Sequence, residues 1–141
     1  MQKIARKILI MGLPGAGKTT LAAALAPLLD AVLFNADAVR AGEHRDLTFS
    51  LADRIEQARR MGVLCDGVVA QGRTAIADFI CPTVQTRTAF GPAFVIFVDR
   101  IAEGRFPDTN KIFVAPERCD IHVTSDGNPQ DWAARIKAVL G

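Results

Sequence analysis

The sequence predicts an α/β fold: a five-stranded parallel sheet with helices on both of its faces. Short apolar runs alternate along the chain with longer segments of helical character, and this alternation is typical of a parallel sheet that is covered on both sides. A glycine-rich turn separates the first apolar run from the first helical segment. The 141 residues, half of them hydrophobic, suffice for one hydrophobic core, so we expect a single domain over residues 1–141.

The first half of the chain begins with residues 7–11, an apolar run that ends at a glycine, as is typical of a central parallel strand. The second long helix begins after Ser50, because Ser50 with Asp53 three residues later approximates a capping box. The elements predicted here, in chain order, are strand 7–11, helix 18–29, strand 31–34, loop 42–48, helix 51–71 and strand 73–78.

The second half opens with a break at Pro82 and a helix that ends at Phe90. The run that follows is the most hydrophobic strand of the chain. The segment after that strand is predicted as a loop, because Gly104, Pro107 and Pro116 interrupt it. The elements predicted here are strand 93–98, loop 101–117, strand 120–124 and a closing amphipathic helix 129–140.

Composition excludes several classes of protein. The net charge of +2 is too small to indicate a polyanionic partner by itself. The three cysteines, Cys65, Cys81 and Cys119, form no C-x-x-C pair, so neither a disulfide framework nor a zinc site is indicated. No segment approaches the roughly 20 apolar residues of a membrane span, and the apolar run near the start is shorter than that of a signal peptide. We therefore expect a cytoplasmic domain without a membrane partner.

The glycine-rich turn matches the phosphate-binding motif G-x-x-x-x-G-K-[ST] without a mismatch, and it lies between a predicted strand and a predicted helix, as the motif requires. Its residues are Gly12, Leu13, Pro14, Gly15, Ala16, Gly17, Lys18 and Thr19, followed by Thr20. In such a loop backbone N–H groups surround the phosphates, the lysine reaches the β- and γ-phosphates, and the threonine hydroxyl binds Mg²⁺. We expect ATP and Mg²⁺ to bind here; the alternative is a chance glycine-rich turn.

A carboxylate and an arginine follow the predicted second strand. Asp37 and Arg40 are three residues apart, so a helical turn places both on one face. Ligands of open α/β sheets bind at the carboxyl ends of the strands, which here means beside the phosphate loop. Asp37 can then accept a proton from an attacking hydroxyl, and Arg40 can hold a phosphate or sulfate of the acceptor. The alternative is that Asp37 caps a helix over residues 38–41 and that Arg40 is solvated.

The chain resembles the adenylylsulfate (APS) kinase family and its phage relatives. The resemblance rests on GLPGAGKTT, NADAVR, Phe49-Ser50 with Asp53-Arg54 and Arg59-Arg60, Phe79-Ile80-Cys81-Pro82, FVIFVD and Ala115-Pro116-Glu117. It implies the P-loop kinase fold and places Asp37 and Arg40 at the acceptor. The further acceptor-binding residues that it implies are Asn35, Phe49, Arg54, Phe79, Ile80 and Cys81.

Two departures from the family pattern concern the acceptor and the lid. APS kinases typically have Asp-Gly-Asp-Asn before the arginine, where this chain has NADA at residues 35–38. Their long basic lid is reduced to residues 100–114, in which Arg105 and Lys111 are the expected phosphate contacts and Arg105 is an expected catalytic residue. The adenine is expected near Arg105 and residues 115–117, which include Pro116. The pattern Asn-x-Asp-x-x-Arg is similar to the acceptor motif of polynucleotide 5′-hydroxyl kinases. Asp78, at the end of a predicted strand, is also similar to a carboxylate of those kinases, and it would hold Mg²⁺ through water.

These features predict an ATP-dependent kinase that transfers the γ-phosphoryl group to a hydroxyl on a nucleotide or nucleic acid. A shortened lid leaves the acceptor side more open, which favours an acceptor larger than adenylylsulfate. The candidate is a hydroxymethylated pyrimidine of the 5-hydroxymethyluracil type in phage DNA, in which case the protein acts in the host cytoplasm. The alternative is an adenylylsulfate kinase that acts on the 3′-hydroxyl. A second alternative, a nucleotide-binding regulatory module without transfer, is disfavoured by the retained Lys18, Thr19, Asp37 and Arg40.

Overall fold

A computed structural model describes residues 5–42, 46–101, 107–124 and 127–141 of the chain. Within those residues the chain forms five strands and six helices. In chain order they are β1 (Lys7–Met11), α1 (Lys18–Leu29), β2 (Val32–Asn35), α2 (Ala36–Ala41), α3 (Leu51–Ala70), β3 (Ala75–Asp78), α4 (Val84–Phe90), β4 (Phe94–Val98), α5 (Pro107–Ile112), β5 (Ile121–Val123) and α6 (Pro129–Leu140). None of the described helices is long and apolar enough to cross a membrane.

The strands form one parallel sheet in the order β2-β3-β1-β4-β5, which confirms the predicted fold class. Because all of them run the same way, their carboxyl ends meet at one edge of the sheet, where ligands of open α/β sheets bind. At that edge Asp78 of β3 pairs with Ile10 of β1 on one side and with Asn35 of β2 on the other. The sheet therefore brings the ends of β2 and β3 next to the loop that follows β1.

The sheet has a hydrophobic core on each face. Successive residues of β1 alternate between the two cores: Ile8 and Ile10 pack with α1 and α6, and Leu9 and Met11 pack with residues of α3 and α4. All four side chains are at most 1% exposed. Burying each of them contributes about 1.5–3 kcal/mol to the free energy of unfolding. Burial on both faces is the reason that the first strand is an unbroken apolar run.

Polar side chains fix where several helices begin. Ser50 accepts a hydrogen bond from the Asp53 backbone N–H at 3.2 Å, which confirms the predicted start of α3. Thr83 and Thr86 form a capping box at the start of α4. Asn128 caps α6 by accepting from a backbone N–H of its first turn. Each cap satisfies a donor that the helix itself leaves without a partner.

The predicted loop over residues 101–117 is wrong in part, because α5 occupies Pro107–Ile112. A proline is tolerated in the first turn of a helix, where its missing N–H would have no helical partner. Long-range packing holds this helix: Thr109 is 3% exposed, and the Phe113 ring stacks on Phe97 with ring centroids 6.0 Å apart. Neither contact can be inferred from local sequence. The remaining helices and strands begin and end within two residues of their predicted limits.

A charged network fixes the loop before α3 onto that helix. Glu56 accepts hydrogen bonds from Arg59 and Arg60, the shortest at 2.6 Å from Arg59 Nε. Arg60 also donates to both carboxylate oxygens of Asp46, at 2.9 and 3.1 Å. Hydrogen bonds from Arg59 and Arg60 lower the pKa of Glu56 to about 2. The loop between Asp46 and Ser50 is therefore joined to the helix through Arg60.

The contact between α3 and α4 requires glycine at position 62. A Cβ on Gly62 would lie 2.3 Å from the Phe90 carbonyl oxygen, whereas a Cβ on Gly67 of the same helix would meet nothing within 4 Å. We expect Gly62→Ala to lower the free energy of unfolding by about 1–3 kcal/mol through overpacking. Gly67→Ala is the matched control, and we expect it to raise the free energy by about 0.4–1 kcal/mol because alanine has less conformational entropy to lose. Urea titrations measure both values; equal effects would contradict the close contact.

The charged network predicts a pH dependence of stability. The pKa of Glu56 is lowered from 4.5 to about 2 in the folded protein. Its contribution to stability is therefore complete above the unfolded pKa and is lost as the pH falls through the folded pKa. We expect the difference in melting temperature between the native chain and Glu56→Gln to shrink as the pH falls from 4.5 to about 2. Thermal melts across the window measure it, with the exposed Glu117→Gln as control; a difference that stays constant would contradict the network.

Candidate active site

A cleft of about 490 Å³ opens at the carboxyl edge of the sheet. It lies where β1, β2 and β3 end, between the phosphate loop and the residues of α2, α3 and α5. The residues that line it are Pro14, Gly15, Lys18, Thr19, Asn35, Ala36, Asp37, Arg40, Phe49, Arg54, Gln57, Asp78, Phe79, Ile80, Cys81, Pro82 and Thr109. Its volume is within the range of small-molecule sites.

The phosphate loop joins β1 to α1 and depends on glycine at two positions. A Cβ on Gly12 would lie 2.4 Å from the Val98 carbonyl oxygen at the end of β4, so only glycine lets the chain leave the sheet here. Gly17, with φ 101, is the N-cap of α1 and adopts a left-handed conformation that other residues rarely adopt. The loop therefore leads into the N-terminus of α1, whose free N–H groups and partial positive charge favour an anion.

Lys18 is the first residue of α1 and is only 8% exposed. Its Nζ donates a hydrogen bond to the Leu13 carbonyl oxygen at 3.0 Å, across the loop. A buried ammonium group is costly unless acceptors or anions surround it. The position of Lys18 within the loop therefore favours the binding of a phosphate.

Thr19 and Asp78 are the candidate metal ligands. The Thr19 hydroxyl donates to Asp78 Oδ2 at 2.9 Å. Asp78 is 1% exposed, and its Oδ1 is buried without a hydrogen-bond partner among the described residues. The described part of the chain has no group of three or more His, Cys, Asp and Glu that could hold a metal ion alone. Mg²⁺ is usually bound by one or two protein groups together with phosphates and water, so Thr19 and Asp78 fit this ion.

The junction of β2 and α2 determines the position of Asp37. Asn35 is the N-cap of α2: its Oδ1 accepts a hydrogen bond from the Ala38 N–H at 3.1 Å. The alternative in which Asp37 caps the helix is therefore wrong, because the extended backbone at Asn35 starts the helix at Ala36. Asp37 lies exposed in the first turn and lines the cleft. The partial positive charge of a helix N-terminus favours a carboxylate at this position.

Arg40 is half-buried in the same wall of the cleft. The alternative in which its side chain is fully solvated is therefore wrong. Its guanidinium carbon lies 4.3 Å from the centre of the Phe49 ring. Its Nε is buried and has no hydrogen-bond partner among the described residues. Burial lowers the pKa of Arg40, and the charges of Asp37 and Asp53 oppose that effect. A partly buried cation with an unused donor is suited to an anionic group of a ligand.

Phe49 offers an aromatic face at the mouth of the cleft, since 62% of it is exposed. The guanidinium of Arg54 also lies near this ring, at 5.6 Å. Arg54 Nε donates to the Phe49 carbonyl oxygen at 2.8 Å, and its Nη2 donates to Thr109 Oγ1 at 3.1 Å. Asp53 holds the same loop by accepting from the N–H and the hydroxyl of Thr48. A fixed and exposed aromatic ring is suited to stacking on a planar ligand.

The wall after β3 consists of Phe79, Ile80, Cys81 and Pro82. The Gly12 N–H donates to the Ile80 carbonyl oxygen at 3.4 Å, which joins this wall to the phosphate loop. Cys81 has φ 49, a left-handed conformation that is uncommon for a residue with a side chain. Burial raises the pKa of the Cys81 thiol to about 12. The thiol is therefore neutral near pH 7 and forms part of the wall without acting as a nucleophile.

Gln57 and Thr109 also line the cleft, although the sequence did not single them out. Gln57 is 2% exposed. It follows Arg54 by three residues on α3, and this spacing could have indicated that both residues face the same side of the helix. Its Nε2 donates to the Ala36 carbonyl oxygen at 3.5 Å, which joins α3 to α2. Thr109 lies on α5, the helix that was predicted as a loop, and only the tertiary contact with Arg54 brings it to the site.

Some of the predicted nucleotide-binding residues do not line this cleft. Thr20 is exposed on α1, and Pro116 is half-buried in the segment after α5. Arg105 lies outside the described residues. Arg100, which directly follows β4, lies beside the phosphate loop: its Nη1 would be 3.2 Å from a Cβ on Gly17. Arg100 is thus a cation on the phosphate-loop side that the sequence did not single out.

Comparisons with known proteins agree with this geometry. The profile of the family described as adenylylsulphate kinase matches residues 5–98. An adenylyl-sulfate kinase from Yersinia pestis is 41% identical over 110 residues, which cover 68% of this chain and 52% of the relative. An adenylyl-sulfate kinase from Bacillus velezensis is 32% identical over 126 residues, which cover 86% of this chain and 57% of the relative. This chain spans about half the length of the curated relatives that it matches.

A solved structure extends the comparison to nearly the whole chain. The APS kinase from Mycobacterium tuberculosis in complex with AMPPNP and APS superposes with a TM-score of 0.84 at 21% identity, covering 98% of both chains. At that identity the superposition establishes a common fold, which is the predicted P-loop kinase fold. The family profile covers most of the chain, including the phosphate loop and the β2–α2 junction. The chain therefore belongs to the adenylylsulphate kinase family.

Proposed function

We propose that this protein is an ATP-dependent kinase that transfers the γ-phosphoryl group of ATP to the 3′-hydroxyl of adenylylsulfate. The observation that carries the proposal is that the phosphate loop and the Asp37–Arg40 pair line one cleft. Phosphoryl transfer depends mainly on positioning and on electrostatic stabilisation, so donor and acceptor groups must face each other across a single space. Family membership supports the same activity.

The donor half of the site holds ATP with Mg²⁺. The N–H groups of the loop and of the α1 N-terminus bind the phosphates, and Lys18 neutralises the charge that spreads over the transferring group. Thr19 and Asp78 are the residues that would hold Mg²⁺, and their 2.9 Å hydrogen bond keeps them adjacent. When bound, the ion neutralises charge on the β- and γ-phosphate oxygens.

The acceptor half binds a planar, anionic nucleotide. The exposed ring of Phe49 stacks on the base. The half-buried Arg40, whose Nε has no hydrogen-bond partner among the described residues, pairs with the phosphate or sulfate. Asp37 accepts a hydrogen bond from the 3′-hydroxyl and takes up its proton as the oxygen attacks the γ-phosphorus. The bond between the γ-phosphorus and the β,γ-bridging oxygen then breaks, and ADP leaves.

The hydroxyl of a hydroxymethylated pyrimidine in DNA, which the sequence favoured, is the rival acceptor. The relatives described above are named adenylyl-sulfate kinases, and they support the smaller acceptor. Thr109 of α5 reaches the cleft and contacts Arg54, so the short lid region still contributes to the acceptor side. NADA at residues 35–38 remains a departure from the family pattern, and it is the reason for keeping DNA in the test.

A direct screen with γ-labelled ATP and Mg²⁺ tests the acceptor. We expect label to transfer to adenylylsulfate, and not to a 5′-hydroxyl oligonucleotide or to DNA that contains 5-hydroxymethyluracil. Adenosine 5′-phosphate is the matched control, because it lacks the sulfate, and we expect it to react more weakly. Lys18→Ala should abolish transfer to every acceptor while the circular dichroism spectrum stays unchanged, since Lys18 faces the loop and not the hydrophobic core.

Three results of this screen would contradict the proposal. Transfer to hydroxymethylated DNA without transfer to adenylylsulfate would assign the rival acceptor. Binding of ATP without transfer to any acceptor would favour the regulatory module. Transfer at the native rate by Lys18→Ala would remove the phosphate loop from the mechanism.

Asp37 can be tested separately from the acceptor's identity. We expect Asp37→Asn to lower kcat by roughly 10²–10⁴, the usual contribution of a positioned general base, with little change in the Kd of ATP. Asp30→Asn is the matched control: Asp30 is exposed and has φ 50 at the end of α1, a conformation that asparagine also tolerates. Steady-state kinetics give both values. If kcat of Asp37→Asn equals that of the control, Asp37 is not the base.

A further inference from the structure

We propose that Asn35 is a positioning residue that couples the metal-binding carboxylate Asp78 to the helix that carries the acceptor residues. The inference rests on the donor half of the proposed function, and it concerns how this chain orients Asp78. The side-chain amide of Asn35 contacts both parts of the site. Its nitrogen contacts Asp78 and Thr19, and its oxygen contacts the first turn of α2.

The nitrogen of the amide holds the metal-binding pair. Asn35 Nδ2 donates to Asp78 Oδ2 at 2.9 Å and lies 3.5 Å from Thr19 Oγ1. The Thr19 hydroxyl donates to the same Asp78 oxygen at 2.9 Å. Parallel pairing of β2 with β3 places Asn35 and Asp78 side by side at the ends of their strands, so the backbone fixes this contact.

These two donors determine which oxygen of Asp78 is used. Both hydrogen bonds reach Oδ2, while Oδ1 remains buried without a partner among the described residues. A buried carboxylate oxygen without a partner is costly, by about 1–3 kcal/mol, unless water or a cation satisfies it. Asn35 thus helps to keep Oδ1 available for an ion or its water. Without the amide, the carboxylate loses one of the two donors that the described residues supply to it.

The oxygen of the same amide serves the acceptor half. Oδ1 of Asn35 accepts from the Ala38 N–H at 3.1 Å and starts α2, the helix of Asp37 and Arg40. Asparagine suits both tasks because its side chain has a donor and an acceptor at its end. Aspartate could cap the helix but could not donate to Asp78. Serine is as good a cap as asparagine, but it has no amide to reach the neighbouring strand.

Asn35→Ser separates the two tasks, because it keeps the cap and removes the donation to Asp78. The measurement is the Kd of a non-hydrolysable ATP analogue by calorimetry, with Mn²⁺ and with EDTA; the ratio of the two Kd values isolates the contribution of the metal. Tighter binding with Mn²⁺ by the native chain is a requirement of the proposed function and is measured first. Substitution of a residue that orients a metal ligand typically lowers the metal affinity by about 10–100-fold. We expect Asn35→Ser to reduce the Mn²⁺-dependent ratio by about 10-fold, the lower end of that range.

A double-mutant cycle distinguishes positioning from a general structural role. If Asn35 acts through Asp78, then Asn35→Ser should have no further effect on the Mn²⁺-dependent ratio in an Asp78→Asn background. Asn35→Ala removes the cap as well and should lower the melting temperature further than Asn35→Ser does. The inference is overturned if Asn35→Ser leaves the ratio unchanged, or if it reduces the ratio equally in the Asp78→Asn background. A native chain that binds the analogue no better with Mn²⁺ than with EDTA would instead overturn the donor half of the proposed function.

Discussion

The parallel pairing of β1 with β3 and β4 is the constraint on which the site depends. It places the end of β3 beside the end of β1 and brings β4 against the start of the phosphate loop. The carbonyl oxygen of Val98 comes so close to Gly12 that no side chain fits there. The shape of the loop is therefore set by the sheet as much as by its own glycines. The same pairing positions Asp78 to reach Thr19 on the first turn of α1.

The cleft contains polar atoms for which the described part of the chain supplies no hydrogen-bond partner. Asp78 Oδ1 and Arg40 Nε are both buried and lack hydrogen-bond partners among the described residues. A buried polar atom that neither water nor a ligand satisfies costs about 1–3 kcal/mol, and a ligand that pairs with it removes that cost. One is an acceptor near Thr19, and the other is a cationic donor near Phe49. These two atoms lie on different sides of the cleft, and under the proposed function one side would face the metal and the other the anionic acceptor.

The side of the cleft near Phe49 is assembled from segments that are distant in sequence. The loop of Phe49 is fixed to α3 by Arg54 and Asp53, and Arg54 extends to Thr109 on α5. The segment after α5 is fixed in turn, because the Val114 N–H donates to the Pro82 carbonyl oxygen at 2.7 Å. These contacts bring Thr109 of α5 into the wall of the cleft.

The sequence by itself determined the features that depend on local chemistry. Apolar runs that alternate with helical segments predicted the parallel sheet. The motif from Gly12 to Thr19 predicted the phosphate loop. The spacing of Asp37 and Arg40 placed both residues on one helical turn, and both line the cleft. Each of these depends on residues that are close in the chain, where periodicity and turn chemistry act directly.

Only the tertiary structure decided the features that depend on contacts between distant residues. Propensity did not reveal α5, because Thr109 and Phe113 are held by packing against other elements. Sequence spacing left open the alternative in which Asp37 caps the helix, whereas the structure gives that task to Asn35 at the end of β2. Pairing of β2 with β3 links the same amide to Asp78. Strand order and register bring residues 43 positions apart into hydrogen-bond contact, and no local pattern encodes such a meeting.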